Sequence, residues 1–122
     1  MDIGGGNDPN PTFTNLSTMR KIETQMNQAV QSGKQFTSSN TAVYHHEGVA
    51  IVRLHGNKIA EIGEDWMTLF DGGYQSNTTK SRLNALLAEF GHDGERVFQK
   101  AYNWFIQQEG GPVPFFSGMR LN

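Results

Sequence analysis

The chain contains no cysteine, which excludes a disulfide framework and any catalytic or metal-binding thiolate. It also lacks an excess of basic residues, because ten Lys and Arg stand against twelve Asp and Glu and give a formal net charge of -2. The general electrostatic attraction that drives non-specific binding to nucleic acid is therefore missing. Contact with a nucleic acid or a nucleotide would need a local basic patch, and the net charge does not favour it.

Long apolar runs are absent too. No segment approaches the length of a membrane span, and the first residues lack the basic start and apolar stretch of a signal peptide. We therefore expect a soluble intracellular protein with no membrane partner. Charged residues make up only 18% of the chain and hydrophobic residues 36%, a composition that excludes general disorder. A chain of 122 residues is one domain by size, with one core.

The composition divides the chain into two parts. Residues 1–12 are rich in Gly, Pro and Asn, so we expect a flexible arm or an arm held by a partner. Residues 13–122 are predicted to form a single α+β domain. Its last segment, residues 112–122, is an apolar tail that must dock on its own domain or on a neighbour.

Strand periodicity and short loops predict a four-stranded antiparallel meander over about residues 40–70. The predicted loops are Glu47-Gly48, Gly56-Asn57 and residues 63–65. Loop length fixes the register of a hairpin, so the two faces of the sheet can be assigned. The core face is assigned these aliphatic residues: Val43, Val52, Leu54, Ile59, Met67 and Leu69.

Helical periodicity predicts three helices packed with this sheet, at about residues 15–32, 78–90 and 94–109. The first has a narrow apolar stripe and should pack on one side only. The third carries apolar residues over more than one face, so we expect it to be buried on two sides. The predicted fold class is therefore α+β, with one N-terminal and two C-terminal helices around the meander.

The opposite face of the predicted sheet mixes aromatic, aliphatic, basic and imidazole groups. Its members are Tyr44, His46, Ile51, Arg53, Lys58, Ile62, Trp66 and Phe70. This face has two interpretations. In the first, it is covered by a helix, by the C-terminal tail or by a second subunit, since large exposed apolar patches are uncommon on monomers. In the other, the rings form a stacking platform for bases, and Arg53 and Lys58 contact phosphates. The first fits the acidic net charge better.

The start of the second predicted helix is a candidate ligand site. Its residues are Thr78, Thr79, Lys80, Ser81 and Arg82. Unpaired amides at a helix start carry partial positive charge and can bind a phosphate or a carboxylate. A polar cap is also ordinary helix chemistry, which is the structural interpretation of the same residues.

Catalysis has weak support in the sequence. His45 and His46 point to opposite faces of one predicted strand and His55 is remote from both, so no metal site is expected. Glu64 and Asp65 are ordinary residues of a hairpin loop. No Ser or Thr has a His and an acid in a recognisable arrangement. We therefore expect a protein that is not an enzyme and uses neither a cofactor nor a metal.

Three segments carry a family resemblance. Residues 54–60 read LHGNKIA, an aromatic residue follows a Gly pair at Gly73-Tyr74, and residues 76–86 read SNTTKSRLNAL. This combination resembles small proteins of unknown function encoded by tailed bacteriophages, including those of marine hosts. The resemblance covers the meander and the second helix but not residues 1–30. It implies a phage setting, in the host bacterial cytoplasm or in the virion, and brings no reaction with it.

Two functions follow from these observations. The first is a phage-type interaction module that forms a homo-oligomer or binds another protein through the aromatic sheet face, in a virion accessory or a host-takeover role. The alternative is a protein that binds nucleic acid or a small phosphorylated ligand. It would use residues 78–82 and the aromatic and basic sheet face.

Overall fold

A computed structural model of the protein describes residues 19–122. The predicted arm at residues 1–12 and the beginning of the predicted first helix lie outside the described residues. Within them the chain forms two helices and nine strands, and the strands make two antiparallel sheets. The fold is thus mostly sheet.

The helices are α1 (Lys21–Ser32) and α2 (Asn77–Phe90). The strands are β1 (Phe36–Ser38), β2 (Thr41–His46), β3 (Val49–Leu54), β4 (Asn57–Ile62), β5 (Met67–Leu69), β6 (Arg96–Lys100), β7 (Asn103–Gln108), β8 (Gly111–Pro114) and β9 (Met119–Leu121). One sheet has six strands in the order β1-β2-β3-β4-β5-β9, and the other has three in the order β6-β7-β8.

The predicted four-stranded meander with three helices is wrong. Strands β2 to β5 occupy the range of the meander, but β1 and the tail strand β9 extend their sheet to six strands. The predicted third helix at residues 94–109 is the hairpin β6–β7 and the start of its turn into β8. The apolar tail docks on its own domain, because Phe115, Met119 and Leu121 are buried in the core.

The error at residues 94–109 has a local cause. The hairpin turns at Ala101-Tyr102, where both residues have positive φ, 51° and 70°. Such two-residue turns are usually marked by Asn or Gly, and neither is present here. In addition, Val97, Phe98, Ala101, Tyr102 and Phe105 recur at a spacing that also fits a helix. The pattern therefore gave no signal of the turn.

The core lies between one face of the six-stranded sheet and a layer formed by α1, α2 and the inner face of the small sheet. The buried residues include Val43, Val52, Ala60 and Leu69 from the large sheet, Met26 and Val30 from α1, Leu83, Leu86 and Leu87 from α2, and Val97, Trp104 and Ile106 from the small sheet. Both helices thus lie on the same side of the large sheet.

The register of the β3–β4 hairpin differs from the prediction. The turn lies at His55-Gly56, one residue before the predicted Gly56-Asn57, and both of its residues have positive φ. Val52 pairs with Ala60 whereas Arg53 pairs with Lys58, so one extra residue is inserted in β4. That residue, Ile59, forms a β-bulge.

The bulge changes which side chains share a face. Ile59 and Ala60 are both buried, which strict alternation does not allow. Ile62 pairs with Ala50 and is buried on the core face, so its predicted place beside Tyr44 is wrong. Glu61 takes that place instead, because it pairs with Ile51.

A buried ion pair joins the two helices. Glu23 of α1 is 2% exposed and Arg82 of α2 is 3% exposed, and the Arg82 guanidinium donates to Glu23 Oε2 at 2.7 Å. Ser81 Oγ donates to the same oxygen at 2.6 Å. Arg82 also donates to Thr41 Oγ1 at 3.0 Å and to Asn40 Oδ1 at 3.2 Å. The pair therefore ties α1, α2 and the start of β2 together.

We expect Arg82→Ala to lower the free energy of unfolding by about 3–5 kcal/mol, because it leaves the Glu23 carboxylate buried without a cation. Urea denaturation followed by circular dichroism measures the change. Lys80→Ala is the matched control, since Lys80 lies on the same helix turn and is only half-buried, and it should change stability by less than about 0.5 kcal/mol. Equal small losses for both variants would contradict the structural role of the pair.

We also expect Tyr102→Gly to raise the free energy of unfolding by about 1 kcal/mol, because left-handed backbone costs an L-residue about 1–2 kcal/mol and costs Gly little. In a helix the same change would lower stability by about 1 kcal/mol. Tyr102→Ala, which keeps the backbone constraint, should have little effect because the ring is 93% exposed. Thermal denaturation of the two variants distinguishes the hairpin from a helix.

Candidate interaction surface

The six-stranded sheet has one face that no element within residues 19–122 covers. We call it the open face; it consists of Tyr44, Ile51, Arg53, Lys58, Glu61, Trp66, Thr68, Phe70 and Arg120. The buried residues of both helices pack with the other face of the sheet. The side chains of the open face are half-buried or exposed, and Tyr44 is 41% exposed.

The middle of the open face is a single row across five strands. Tyr44 pairs with Ile51, Ile51 with Glu61, Glu61 with Thr68, and Thr68 with Arg120. Neighbouring strands lie about 4.8 Å apart, so the row is roughly 19 Å long. It presents an aromatic ring at one end and a guanidinium at the other on a rigid backbone.

The Trp66 ring lies beside the Arg120 end of this row and contacts two neighbours. A Cβ atom added at Gly63 would overlap the indole ring, so only glycine lets the ring pack on the backbone there. The Arg120 guanidinium carbon also lies 4.3 Å from the centre of the ring, a cation–π contact. The backbone N–H of Gly63 also donates to the Trp66 carbonyl at 2.9 Å. The position of the indole is therefore set by contacts within the chain.

Charges on the open face are mixed in sign. Lys58 Nζ lies 2.6 Å from Glu61 Oε2 and 4.8 Å from the centre of the Phe70 ring. The Arg53 guanidinium donates to the Gly56 carbonyl at 3.1 Å. Since Glu61 is neutralised by Lys58, the remaining charge of the face comes from Arg53 and Arg120. The face thus combines rings, one internal ion pair and two cations.

The predicted face residues fall into three groups. Six of them lie together on the open face: Tyr44, Ile51, Arg53, Lys58, Trp66 and Phe70. His46 is exposed at its edge, and Ile62 lies on the core side. The sequence analysis missed Arg120, although the alternation of Met119, Arg120 and Leu121 is the signal of a half-buried strand.

The predicted phosphate site lies at the start of α2, where most groups already have partners. The N–H of Thr79 donates to Ser76 Oγ at 3.0 Å, and Thr79 itself is buried. Ser81 and Arg82 are bound to Glu23. Thr78 and Lys80 are half-buried and remain at the surface. The contacts of this helix start are those of a cap and a helix junction, and its role as a ligand site stays a prediction.

The histidines lie apart from one another. His45 Nε2 lies 3.0 Å from the Ala29 carbonyl, and His46 is beside Glu47 at 3.6 Å. Within residues 19–122 no group of three or more His, Asp or Glu side chains is arranged to hold a metal ion. Over the same residues, neither helix has the length and apolar character that crossing a bilayer requires.

A cleft of about 810 Å³ lies between the start of α1, α2 and the loop before β6. Its lining includes Glu89, His92 and Glu95. Glu95 accepts a hydrogen bond from the His92 N–H at 2.7 Å, and His92 Nε2 lies 2.6 Å from the Asn122 carbonyl oxygen. The contacts of His92 and Glu95 join the segment after α2 to Asn122.

Comparison with known families places the geometry in context. The family model of the Kyanoviridae Gp96 protein matches residues 19–122. The match includes both helices, both sheets and the whole open face, and it begins earlier than the predicted resemblance, which excluded residues 1–30. Searches of curated proteins and of solved structures give no match to the chain.

We expect Gly63→Ala to displace the Trp66 ring, because the added methyl group occupies the position of the indole. Overpacking of this kind should lower the free energy of unfolding by about 1–3 kcal/mol. In a Trp104→Phe background, the fluorescence maximum and acrylamide quenching of Trp66 measure the displacement. Gly110→Ala is the control, since nothing lies within 4 Å of its added Cβ. An unchanged Trp66 spectrum would contradict the described packing.

Proposed function

Because the chain belongs to the Kyanoviridae Gp96 protein family, a family of phage proteins, we propose that it is a non-enzymatic phage accessory protein that self-associates through the open face. The observation that carries the proposal is the uncovered face itself. Within residues 19–122, Tyr44 and Ile51 stand on strands with no element packed over them, and the half-buried Trp66, just before β5, is contacted by the Arg120 side chain. Apolar and aromatic surface of this kind is stabilised when it is buried.

The composition of the open face supports a protein partner. Tyr, Trp and Arg are the residues that most often dominate the binding energy of protein interfaces. Trp66 is already fixed between Gly63 and Arg120, so its burial costs little side-chain entropy. The face therefore offers preorganised anchors rather than mobile side chains.

The order of side chains in the row supports a second copy of the chain as that partner. A two-fold axis that reverses the row brings Tyr44 of one copy to Arg120 of the other, and the contact occurs twice. The carboxylate of Glu61, at the centre of the row, is neutralised by Lys58 within each copy. Face-to-face packing of two sheets is a common way to bury such surfaces.

Association through strand edges has less support. In the small sheet, β8 carries Pro112 and Pro114, which cannot donate backbone hydrogen bonds. The outer edge of β6 is paired by a side chain, since Asn84 accepts from the Val97 N–H at 2.6 Å and donates to the Val97 carbonyl at 2.9 Å. The edge strands of the large sheet, β1 and β9, have three residues each. Short and blocked edges disfavour pairing with another chain.

The alternative function, a small phosphorylated ligand at residues 78–82, has less support. Arg82, the strongest candidate for a phosphate contact, is 3% exposed and is neutralised by Glu23. A ligand there would have to displace a buried partner.

We expect sedimentation velocity of the full chain to give a mass that rises from monomer to dimer with protein concentration. Ile51→Lys should weaken the dimer at least about tenfold, because it places two unpaired charges in a buried contact. Phe116→Ser is the control, since Phe116 is 62% exposed and lies outside the open face, and it should leave the dimer unchanged. A monomer at every concentration, or equal effects of the two variants, would overturn self-association through this face.

A further inference from the structure

The small sheet has an outer face that differs in chemistry from the open face. Its inner side buries Val97, Trp104 and Ile106 in the core. By strand alternation, the outer side carries Arg96, Phe98, Lys100, Phe105, Gln107 and Pro114, which we call the ribbon face. These residues are exposed or half-buried, and no element within residues 19–122 covers them. The ribbon face is thus a second free surface.

Aromatic rings occupy the middle of the ribbon face. Phe98 and Phe105 are cross-strand partners whose ring centres lie 5.7 Å apart with an angle of 23° between the planes. The Arg96 guanidinium carbon lies 5.0 Å from the centre of the Phe98 ring. Tyr102, in the turn that joins β6 and β7, is 93% exposed. Two strands and their turn therefore present three rings that keep free surface.

The charge of the ribbon face has one sign. The three strands contain no Asp or Glu, although the chain as a whole has a net charge of -2. Arg96 and Lys100 are exposed, and within residues 19–122 neither forms an ion pair with a carboxylate. The nearest acids along the chain, Glu95 and Glu109, lie in the loop before β6 and in the turn between β7 and β8, so the strands themselves carry only cations.

We propose that the ribbon face binds single-stranded nucleic acid. Bases stack on Phe98, Phe105 and Tyr102, and the phosphates contact Arg96 and Lys100. Stacking on aromatic side chains accepts any base, while exposed cations neutralise the backbone, which is how sequence-tolerant single-strand binding works. This activity is separate from self-association, because it uses the other sheet.

The blocked edges of the small sheet favour this occupant over a protein strand. Pro112 and Pro114 in β8 and the Asn84 side chain against β6 block both edges of the small sheet, so an added strand cannot pair there. Ring faces also need bases that are free of a duplex. Three strands span about 10 Å, which gives room for roughly two or three nucleotides.

Fluorescence anisotropy of a labelled ten-nucleotide oligo(dT), titrated with the full chain at several salt concentrations, tests the proposal. We expect salt-dependent binding that Phe98→Ala weakens about 5- to 150-fold, the equivalent of about 1–3 kcal/mol per stacked base. Lys100→Gln should reduce the slope of log K against log salt by about 0.7. Lys100 is exposed, so replacing it should not disturb folding. The Lys100→Gln variant therefore tests the proposal even if Phe98→Ala folds poorly.

Tyr74→Ser is the matched control, since Tyr74 is 75% exposed and lies in the loop before α2, outside both sheets, and it should bind the oligonucleotide like the unchanged chain. The duplex of the same sequence should bind more weakly than the single strand. The proposal is overturned if the full chain shows no salt-dependent binding. It is equally overturned if the Phe98→Ala and Lys100→Gln variants bind the oligonucleotide as tightly as the unchanged chain. The same holds if Ile51→Lys, on the open face, abolishes binding while Phe98→Ala and Lys100→Gln leave it intact.

Discussion

The buried ion pair between Arg82 and Glu23 is the interaction that orders the rest of the fold. A buried charge without a partner is strongly destabilising, so α1, α2 and the start of β2 must meet in the one geometry that satisfies both groups. That geometry places both helices on the same side of the six-stranded sheet. The other side of the sheet is left without a cover within residues 19–122, and this side is the open face.

The free faces of the two sheets differ in their side-chain chemistry. The open face holds rings together with charges of both signs, and Lys58 and Glu61 form an ion pair within it. The ribbon face holds rings with cations alone, because the strands of the small sheet contain no acid. The open face can pair a ring with a guanidinium of a second copy, whereas a surface with cations and no acid suits a polyanion. We therefore propose that this phage protein joins its own copies through one face and a nucleic acid through the other.

Sequence reasoning works where local signals are strong. The Glu47-Gly48 turn has the positive φ values expected of it, and the predicted core residues Val43 and Leu69 are buried. It fails where the deciding contact is distant or unmarked. The turn at Ala101-Tyr102 has no Gly or Asn. Arg82 reads as an exposed helix-start cation, because its partner lies 59 positions away in the chain.

Self-association through the open face can be followed by an NMR dilution series of the full ¹⁵N-labelled chain. We expect concentration-dependent amide shifts that cluster in β2 to β5 and β9, with β6 to β8 unchanged in the absence of nucleic acid. Shifts confined to the small sheet, or no shifts across a range from micromolar to millimolar protein, would contradict it.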